Sequence, residues 1–544
     1  MLPLKEKDKP IARKLLTAGC CARCVLRFCC VSTQASYRQP LQEILKKLQD
    51  FIGDSENVKC HEAPKYMETI SRANNAAVIE THEDPPNKRP KLDRSVTLPQ
   101  SEGDASTSAN VVPISKGETS CVCPVCLGVL QELCGVIQAK KIAQTIKSED
   151  YQFDTLVLSV SLPAQLCVRE HSCWLHVKKE VREKGLALDK DDVIQVKEAF
   201  KWVMQNLLLK ELSGVAVVTK STFEVGVEFN HPDTDADCHF LAAACPDCFK
   251  PTKNKQSVFT RMAVIKALEK IPDATFLRQY PCPPAQPTRC CYLPDIQCLH
   301  LSVFIAGRYN KFCRSLPQTP WLIDGERRME SSVEELIAEH VLSAFRAAGF
   351  NFSSSGREDV DVRTLGTGRP FAMELLNPHR SRFSRAEMKQ LQETINKSSE
   401  KIRVRDLQIV SREAMSRMKE GEEDKSKSYT ALVWTHKSIQ EEDLAFIHNI
   451  KDLVVDQKTP LRVLHRRALA VRPRVIHSMS TRFLDSHHFY LELKTQAGTY
   501  IKEFVHGDFG RTKPNMCQLL NSDTDILELD VESVDVDWPP AIPE

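Results

Sequence analysis

The chain has 544 residues, with 74 Lys and Arg against 72 Asp and Glu, 42% hydrophobic residues and 27% charged residues. This balance is typical of folded globular proteins and excludes a collagen-like or wholly disordered chain. The net charge of +2 gives no overall attraction to nucleic acid, so any nucleic-acid surface must be local. No apolar run reaches the ~20 residues of a membrane span, and the N-terminus is charged where a signal peptide is apolar. We therefore expect a protein of the nucleus and cytoplasm that does not contact a membrane.

Cysteine pairs give the first chemical signal. In a reducing compartment, C-x-x-C pairs are more often metal ligands than disulfides. Two such pairs can each present two thiolates to one tetrahedral zinc ion: Cys21 with Cys24, and Cys123 with Cys126. The alternatives are a coincidence of buried thiols, or the competing pair Cys245-x-x-Cys248. We expect a structural zinc site formed by the first two pairs.

The first half of the chain predicts helices, a linker and an α/β module. Apolar residues at helical spacing predict a helix at 41–52. Residues 82–119 are rich in Pro, Ser, Thr, Asn, Asp and Gly, which predicts a disordered linker. Its basic cluster at 87–92 is either a nuclear import signal or a solvated charge run. Further on, the pattern predicts strands at 155–162, 214–219 and 223–229 and a helix at 190–209.

The second half predicts a separate α+β domain. A Pro- and Cys-rich passage at 280–294 marks the boundary. Ser331 and Glu334 predict a capping box for a helix that ends near Gly349. Strands are predicted at 430–434, 489–493 and 526–531. The expected domains are therefore a zinc-binding helical segment at 1–81, the linker at 82–119, a domain at 120–290 and another at 291–544.

An acidic segment precedes the middle of this domain. Alternation in Asp359-Val360-Asp361-Val362-Arg363 predicts a strand with the valines on one face and the charged residues on the other. Such a face suits an active site, but an exposed strand with a simple Asp/Arg pair is the more frequent explanation. Two carboxylates also bind magnesium, although no third acidic ligand stands out nearby.

Basic residues form a second group of candidate functional residues. Residues 457–474 contain six Lys and Arg and no acid, a pattern that favours phosphate binding. The basic run at 380–405 could also bind phosphates, but a solvated helix face is the better explanation for it. Lys502, in the segment 498–504, could lie opposite the acidic segment and keep an aspartate ionised there.

Three motifs together resemble those of pseudouridine synthases: Gly307-Arg-Tyr-Asn-Lys311, Gly356-Arg-Glu-Asp-Val-Asp-Val-Arg363 and Gly498-Thr-Tyr-Ile-Lys-Glu-Phe504. The resemblance is closest to the archaeal and eukaryotic THUMP-containing type of tRNA enzyme, and it extends over essentially the whole chain. It implies an α+β protein. A catalytic domain with a mixed, mainly antiparallel sheet flanked by helices would follow a zinc-stapled α/β domain that contains a THUMP module.

The resemblance also implies an activity and residue roles. The chain would isomerise uridine to pseudouridine in the T-arm of tRNA, at position 54, position 55 or both, without an organic cofactor. Asp359 would start cleavage of the glycosidic bond, by attacking the sugar or by removing its 2′ proton. The extruded base would stack on Tyr429, and Lys502 would pair with Asp359. Residues 457–471 resemble the thumb loop and residues 318–331 the forefinger loop of the family. The RNA contacts expected on them are Arg327, Arg328, Lys458, Arg462, His465, Arg466 and Arg467.

Similarity to THUMP domains implies docking on the acceptor stem of tRNA, with other structured RNAs as further candidate ligands. The protein is expected to be a monomer. A rival function is a non-catalytic factor that uses the same basic surfaces to bind structured RNA and assist its processing. A zinc-dependent deaminase or nuclease is disfavoured, because the cysteine pairs lack an accompanying His-x-Glu element.

Overall fold

A computed structural model describes residues 2–53, 121–183, 190–250, 258–420, 425–540 and 542. The predicted linker at 82–119 and its basic cluster at 87–92 lie outside the described residues. Within those ranges, every helix is too short or too polar to cross a membrane. The chain divides into two compact units, each built from separated segments. Unit one comprises Met1–Gln131, Pro163–Ala199 and His231–Cys291, and unit two comprises Glu132–Leu162, Phe200–Asn230 and Tyr292–Glu544.

The described residues form a mixed α+β protein, which confirms the expected fold class. The α-helices are α1 (Lys9–Thr17), α2 (Ala22–Phe28), α3 (Gln34–Arg38), α4 (Leu41–Ile52), α5 (Val136–Glu149), α6 (Gln165–Glu183), α7 (Val196–Glu211), α8 (His239–Ala244), α9 (Arg261–Lys270), α10 (Asp273–Gln279), α11 (Val333–Phe345), α12 (Arg385–Ser398), α13 (Arg412–Lys419), α14 (Ile501–His506) and α15 (Met516–Leu520). The strands are β1 (Thr155–Ser161), β2 (Ala216–Val217), β3 (Phe223–Glu228), β4 (Ile296–His300), β5 (Val303–Lys311), β6 (Leu322–Ile323), β7 (Glu326–Arg327), β8 (Gly349–Ser354), β9 (Arg363–Leu376), β10 (Ile402–Val410), β11 (Ser426–Thr435), β12 (Lys451–Lys458), β13 (Val471–Asp485), β14 (His488–Gln496), β15 (Thr512–Lys513) and β16 (Thr524–Val534).

Unit one is built mainly of helices. The predicted helix at 41–52 is α4, which buries Ile44 and Leu48 and ends at Gly53, a residue in the left-handed conformation that commonly closes helices. The predicted helix at 190–209 is shorter at its start, since α7 begins at Val196. Ile194 lies outside it because both of its backbone polar groups are bonded to Arg27: the Ile194 N–H to the Arg27 carbonyl, and the Ile194 carbonyl to the Arg27 guanidinium.

Unit two contains a small sheet with the order β2-β1-β3-β4. Strand β1 runs parallel to β2 and β3, and β4 runs antiparallel to β3. The predicted strands at 155–162 and 223–229 are confirmed as β1 and β3, whereas the strand predicted at 214–219 is reduced to the two residues of β2. The alternation of helices and strands in the sequence predicts an α/β or α+β module for this region.

A large sheet dominates unit two. Among the described residues it has ten strands, in the order β10-β5-β9-β16-β11-β14-β13-β12-β15 with β8 paired to β9. Its neighbours are antiparallel except β9 and β16, which are parallel. One apolar core packs α11 and α12 against β5, β9 and β10, and another packs α14 against β11, β13 and β14. This mixed, mainly antiparallel sheet places the ends of β5, β9 and β14 within reach of the candidate site.

The start and end of α11 differ from the prediction. The N-cap is Ser332, whose Oγ accepts the Glu335 N–H at 3.3 Å, so the predicted box of Ser331 and Glu334 is wrong by one residue. Both pairs fit the capping pattern, but the Glu334 N–H is already bonded to the Gln318 carbonyl. The helix ends at Phe345 rather than near Gly349, because Gly349 is the first residue of β8.

Candidate active site

The acidic segment is a turn, and the strand predicted at 359–363 is wrong. The Val362 N–H donates to the Asp359 carbonyl at 3.2 Å, and β9 begins only at Arg363. The Nζ of Lys311, at the end of β5, also donates to the carbonyl oxygens of Asp359 and Val360, at 3.1 and 2.8 Å. Those carbonyl groups are therefore satisfied without a strand partner.

Lys311 anchors this turn from within the protein. Its side chain is buried, and its third hydrogen bond goes to the Leu316 carbonyl at 2.7 Å. An ammonium group has three N–H donors, and all three are used here on main-chain oxygens. Burial lowers the pKa of Lys311 to about 8, although the charges of Glu358 and Asp361 act to raise it.

The Asp359 carboxylate lies between two cations. Its Oδ2 is 2.7 Å from Arg462 Nη1 and 3.5 Å from Lys502 Nζ, and its side chain remains 33% exposed. Lys502, from α14, contacts both carboxylate oxygens of Asp361, at 2.8 and 2.7 Å. The site therefore presents an acid that is paired with two cations and is still reachable by solvent.

The two carboxylates that neighbour Asp359, those of Asp361 and Glu503, differ in exposure. Burial raises the pKa of Asp361, but the hydrogen bond and charge of Lys502 outweigh it, so the pKa of Asp361 lies below its usual value. Glu503 is 2% exposed and is 2.7 Å from Arg462 Nε. Arg462 therefore bridges an exposed carboxylate, that of Asp359, and a buried one.

Glu358, next to Asp359, belongs to a buried polar network. Its carboxylate accepts the Tyr309 hydroxyl at 2.7 Å and Arg369 Nε at 2.7 Å. The Gln318 amide in turn donates to the Tyr309 oxygen at 2.8 Å. Because every partner is itself held, this network fixes the chain on the N-terminal side of Asp359.

Tyr429 lies in β11, which pairs with β14 and β16. Burial raises the pKa of Tyr429, and the charges of Arg369 and Glu358 act on it in opposite directions. The phenol is therefore neutral at pH 7. The predicted residues Asp359 and Lys502 are in direct contact, and Tyr429 packs against the apolar core that includes Val362 of the same turn.

The segment predicted as a thumb loop connects β12 to β13, whose ends pair Lys458 with Val471. Thr459 Oγ1 donates a hydrogen bond to the Ala468 carbonyl at 2.7 Å, which stabilises the loop. Four of the predicted RNA-contact residues are exposed on this loop: Lys458, His465, Arg466 and Arg467. Arg462, also predicted to contact phosphate, instead points to Asp359 in this structure.

The segment predicted as a forefinger loop contains a short exposed hairpin of β6 and β7. Its turn residues, Asp324 and Gly325, both have positive φ, as the favoured two-residue hairpin turns require. Arg327 pairs with Glu335, and Arg328 lies 3.5 Å from Glu326. These two arginines are on a surface element and remain candidates for RNA contact.

Three residues of the site were not anticipated from the sequence: Lys311, Glu358 and Glu503. Each lies within one of the three quoted motifs, so motif membership was the available signal. Arg462 was selected for its charge but not for its contact with Asp359. Its two partners are 103 and 41 residues away in sequence, a separation that local spacing does not pair.

A candidate metal centre lies in unit one. The sulfurs of Cys21, Cys24, Cys123 and Cys126 all lie within 4.8 Å of one another, and all four residues are buried. The Sγ atoms of Cys21 and Cys126 are 3.8 Å apart. A tetrahedron with metal–sulfur bonds of ~2.3 Å has edges of about 3.8 Å, so the spacing fits zinc.

The four thiols interact strongly with one another. Burial raises the pKa of Cys123, but hydrogen bonds from neighbouring thiols outweigh it and hold that pKa well below its ordinary value, whereas the pKa values of Cys21 and Cys126 lie well above theirs. The buried Arg27 donates to Cys24 Sγ at 3.4 Å, the type of outer contact that supports metal ligands. The group could therefore hold a metal ion. The competing pair, Cys245 and Cys248, lies outside the cluster.

Comparison with known sequences identifies the family. Residues 304–535 match the family described as "Pus10, C-terminal", and residues 123–298 match "Eukaryotic Pus10, N-terminal". The human protein named tRNA pseudouridine synthase Pus10 is 56% identical over 546 residues, which cover 100% of both chains. The Xenopus laevis protein of that name is 54% identical over 542 residues, again 100% of both. A Thermofilum pendens protein of that name is 41% identical over 238 residues, 43% of this chain and 52% of its own.

Solved structures give weaker likenesses. The crystal structure of a Cbf5-Nop10-Gar1 complex aligns with a TM-score of 0.23 and 15% identity, over 42% of this chain and 48% of that one. A crystal structure of pseudouridylate synthase aligns with a TM-score of 0.18 and 12% identity, over 45% and 68%. These scores carry no argument about this chain. The two family matches and the full-length relatives do: the chain belongs to the Pus10 family of pseudouridine synthases.

Proposed function

We propose that the protein isomerises uridine in the T-arm of tRNA, at position 54, position 55 or both, with Asp359 as the catalytic carboxylate and no organic cofactor. The main support is the Asp359 carboxylate itself, which two cations contact while a third of its side chain stays exposed. A reachable, fixed carboxylate that is paired with two cations suits either attack on the ribose or removal of its 2′ proton. The names of the full-length human and Xenopus laevis relatives give tRNA as the substrate.

The target base must leave the RNA stack to reach Asp359. Enzymes that act on a stacked base turn it out and hold it against an aromatic or apolar surface. Tyr429 is proposed as that surface, since its neutral ring packs against the apolar core that includes Val362 of the Asp359 turn. The uracil, once released from the ribose, would turn against this ring and rejoin through its C5 atom.

Lys502 and Arg462 have different proposed tasks. Lys502 contacts Asp359 and Asp361 together and holds the two carboxylates at a fixed separation. Arg462 connects the thumb loop to Asp359 and Glu503, so the position of the loop and the position of the acid are linked. Contacts with RNA phosphates are proposed for the exposed cations on the two loops, namely Arg327, Arg328, Lys458, His465, Arg466 and Arg467.

The region at 120–290 is proposed as the THUMP-containing part that docks on the acceptor stem of tRNA. Cys21, Cys24, Cys123 and Cys126 are proposed as the ligands of a structural zinc ion. Bound zinc would neutralise the thiolates and tie the segment that follows residue 121 to α2. It would take no part in the isomerisation. We further propose that the protein acts as a monomer, in the nucleus and the cytoplasm.

The test is an Asp359→Ala variant assayed with tRNA that carries 5-tritiated uridine. Wild-type protein should release tritium, and the variant should release none while it binds tRNA at least as tightly, because two cations lose their partner. Asp361→Asn is the matched control and should keep measurable activity. Tritium release by Asp359→Ala would exclude the proposed role. A wild-type protein that binds tRNA without releasing tritium would favour the RNA-binding factor instead.

A further inference from the structure

The segment after α14 forms a left-handed turn. Four consecutive residues, Gly507 to Gly510, have φ values of 78°, 46°, 56° and 78°. Glycine adopts this conformation readily, but for other L-residues it is strained. The strain therefore falls on the two central residues, Asp508 and Phe509.

The position of Asp508 is explained by contacts within the protein. The residue is 6% exposed, and its Oδ2 lies 3.4 Å from the Leu461 N–H and 3.4 Å from Arg511 Nε. The Asp508 N–H donates to His506 Nδ1 at 3.1 Å. These contacts hold the turn in one conformation.

Phe509 has no such explanation. Its side chain is 94% exposed, and among the described residues no aromatic ring or cation stacks on it. The contacts of Asp508 thus hold a large apolar ring in solvent on a rigid, strained support. Residues whose backbone strain is not explained by contacts within the protein are concentrated at sites that bind a ligand.

The turn and the thumb loop are one hydrogen-bonded unit. The Arg511 guanidinium donates to the Thr459 carbonyl at 2.6 Å, and the Lys458 N–H donates to the Arg511 carbonyl at 3.0 Å. Leu461, which donates to Asp508, directly precedes Arg462, and Arg462 contacts Asp359. Phe509 is therefore fixed to the element that connects to the proposed catalytic acid.

The charges around this unit indicate the chemistry of the partner. Residues 457–474 contain six cations and no acid, and Arg466, Arg467 and Lys513 are exposed. A polyanion with flat apolar faces satisfies both the charge and the exposed ring. Single-stranded nucleic acid has this combination, and proteins bind it with basic grooves and stacking aromatic side chains.

We propose that Phe509 stacks on an unpaired base of the substrate RNA, a base other than the uridine held at Asp359. This inference rests on the proposed function, because it takes RNA as the substrate. Stacking of this kind has little dependence on base identity. Phe509 would therefore hold the RNA in place next to the thumb loop without selecting its sequence.

The strain at Phe509 allows the effect of the backbone on stability to be separated from the effect of the ring on RNA binding. Replacement of Phe509 by glycine relieves the left-handed backbone and removes the ring, so Phe509→Gly should raise the melting temperature and weaken RNA binding together. Phe509→Ala removes the ring and keeps the strained backbone, so its melting temperature should stay near that of the wild type. Because the ring is exposed, neither variant should disturb the core.

The experiment measures the Kd for a tRNA transcript with the full-length chain. We expect Phe509→Gly and Phe509→Ala to bind about tenfold more weakly, the effect of losing one stacked base, and Leu527→Ala, another exposed apolar residue, to bind like the wild type. Phe509→Trp should keep its affinity and show fluorescence that tRNA quenches, relative to the wild type.

Wild-type affinity in Phe509→Ala, or an unquenched tryptophan in Phe509→Trp, would overturn the proposal. The same titrations are repeated with Asp359→Ala combined with each variant, so that binding is measured without chemistry. Absence of tritium release by the wild-type protein would instead refute the proposed function. The two failures are therefore distinguishable.

Discussion

Lys311 donates a hydrogen bond from its Nζ to the main-chain carbonyl of Asp359 at 3.1 Å. Asp359 is thus held at two points, since Arg462 contacts its carboxylate. Lys311 touches no atom of the carboxylate and is a positioning residue in the proposed reaction. Its importance follows from geometry, because catalysis depends steeply on the placement of the reacting group.

Replacement of Lys311 by methionine should slow single-turnover tritium release about 100-fold, the order of effect expected from a displaced catalytic group. The melting temperature should also fall, because three main-chain carbonyl groups lose their donor. Lys401→Met is the control, since that side chain is 48% exposed and lies 3.9 Å from Glu330. Full activity in a well-folded Lys311→Met protein would contradict the positioning role.

Above pH 8, the activity of the protein and the contribution of Lys311 to its stability should depend on pH in opposite directions. Burial lowers the pKa of Lys311 to about 8 from an ordinary value of 10.5. A neutral amine has only two N–H donors for three carbonyl groups, so the single-turnover rate should fall as pH rises through about 8. Between pH 8 and 10.5 the unfolded chain binds more protons at this residue, so the contribution of Lys311 to stability rises with pH.

The comparison between the wild type and Lys311→Met isolates this effect. Unfolding by urea at pH 7.5 and pH 10 gives the free energy of unfolding of both proteins, and the wild type should gain stability relative to the variant at the higher pH. Rate profiles measured at saturating tRNA complete the test. A wild-type rate that stays level from pH 7 to pH 10 would show that the third hydrogen bond is dispensable.

Arg462 and Arg466 should behave differently although they lie on the same loop. Arg462→Ala removes a contact to Asp359 and leaves the buried Glu503 without that partner, so both the rate at saturating tRNA and the melting temperature should fall. Arg466→Ala should only weaken tRNA binding and reduce the slope of log K against log salt by about 1. Equal effects of the two variants on the saturated rate would contradict this division.

The cysteine cluster predicts about one equivalent of zinc per chain. Elemental analysis of the purified protein measures it, and less than half an equivalent would count against the site. Cys123→Ser should lose the metal and lower the melting temperature, because ligand thiolates and fold are coupled. Cys245→Ser, from the competing pair outside the cluster, should retain both the metal and the stability.

Much of the fold was predictable because strands such as β1, β3 and β14 carry the alternation or apolar runs that a sheet requires. The segment around Asp359 has the same alternation and is nevertheless a turn. Lys311, the partner that stabilises the turn, is 48 residues away in sequence. The alternation of residues along the segment carries no information about this contact. Likewise, the contact between Arg462 and Asp359 depends on how β12 and β13 bring the thumb loop to the turn, which charge composition does not specify.

The four cysteines proposed as zinc ligands lie on both sides of residues 54–120. Cys24 and Cys123 are 99 residues apart (123 − 24), so an ion shared between the two pairs would close the chain into a ring. If the backbone were cleaved once between Cys24 and Cys123, the two fragments would therefore still migrate together. A chelator would weaken the association of the two fragments.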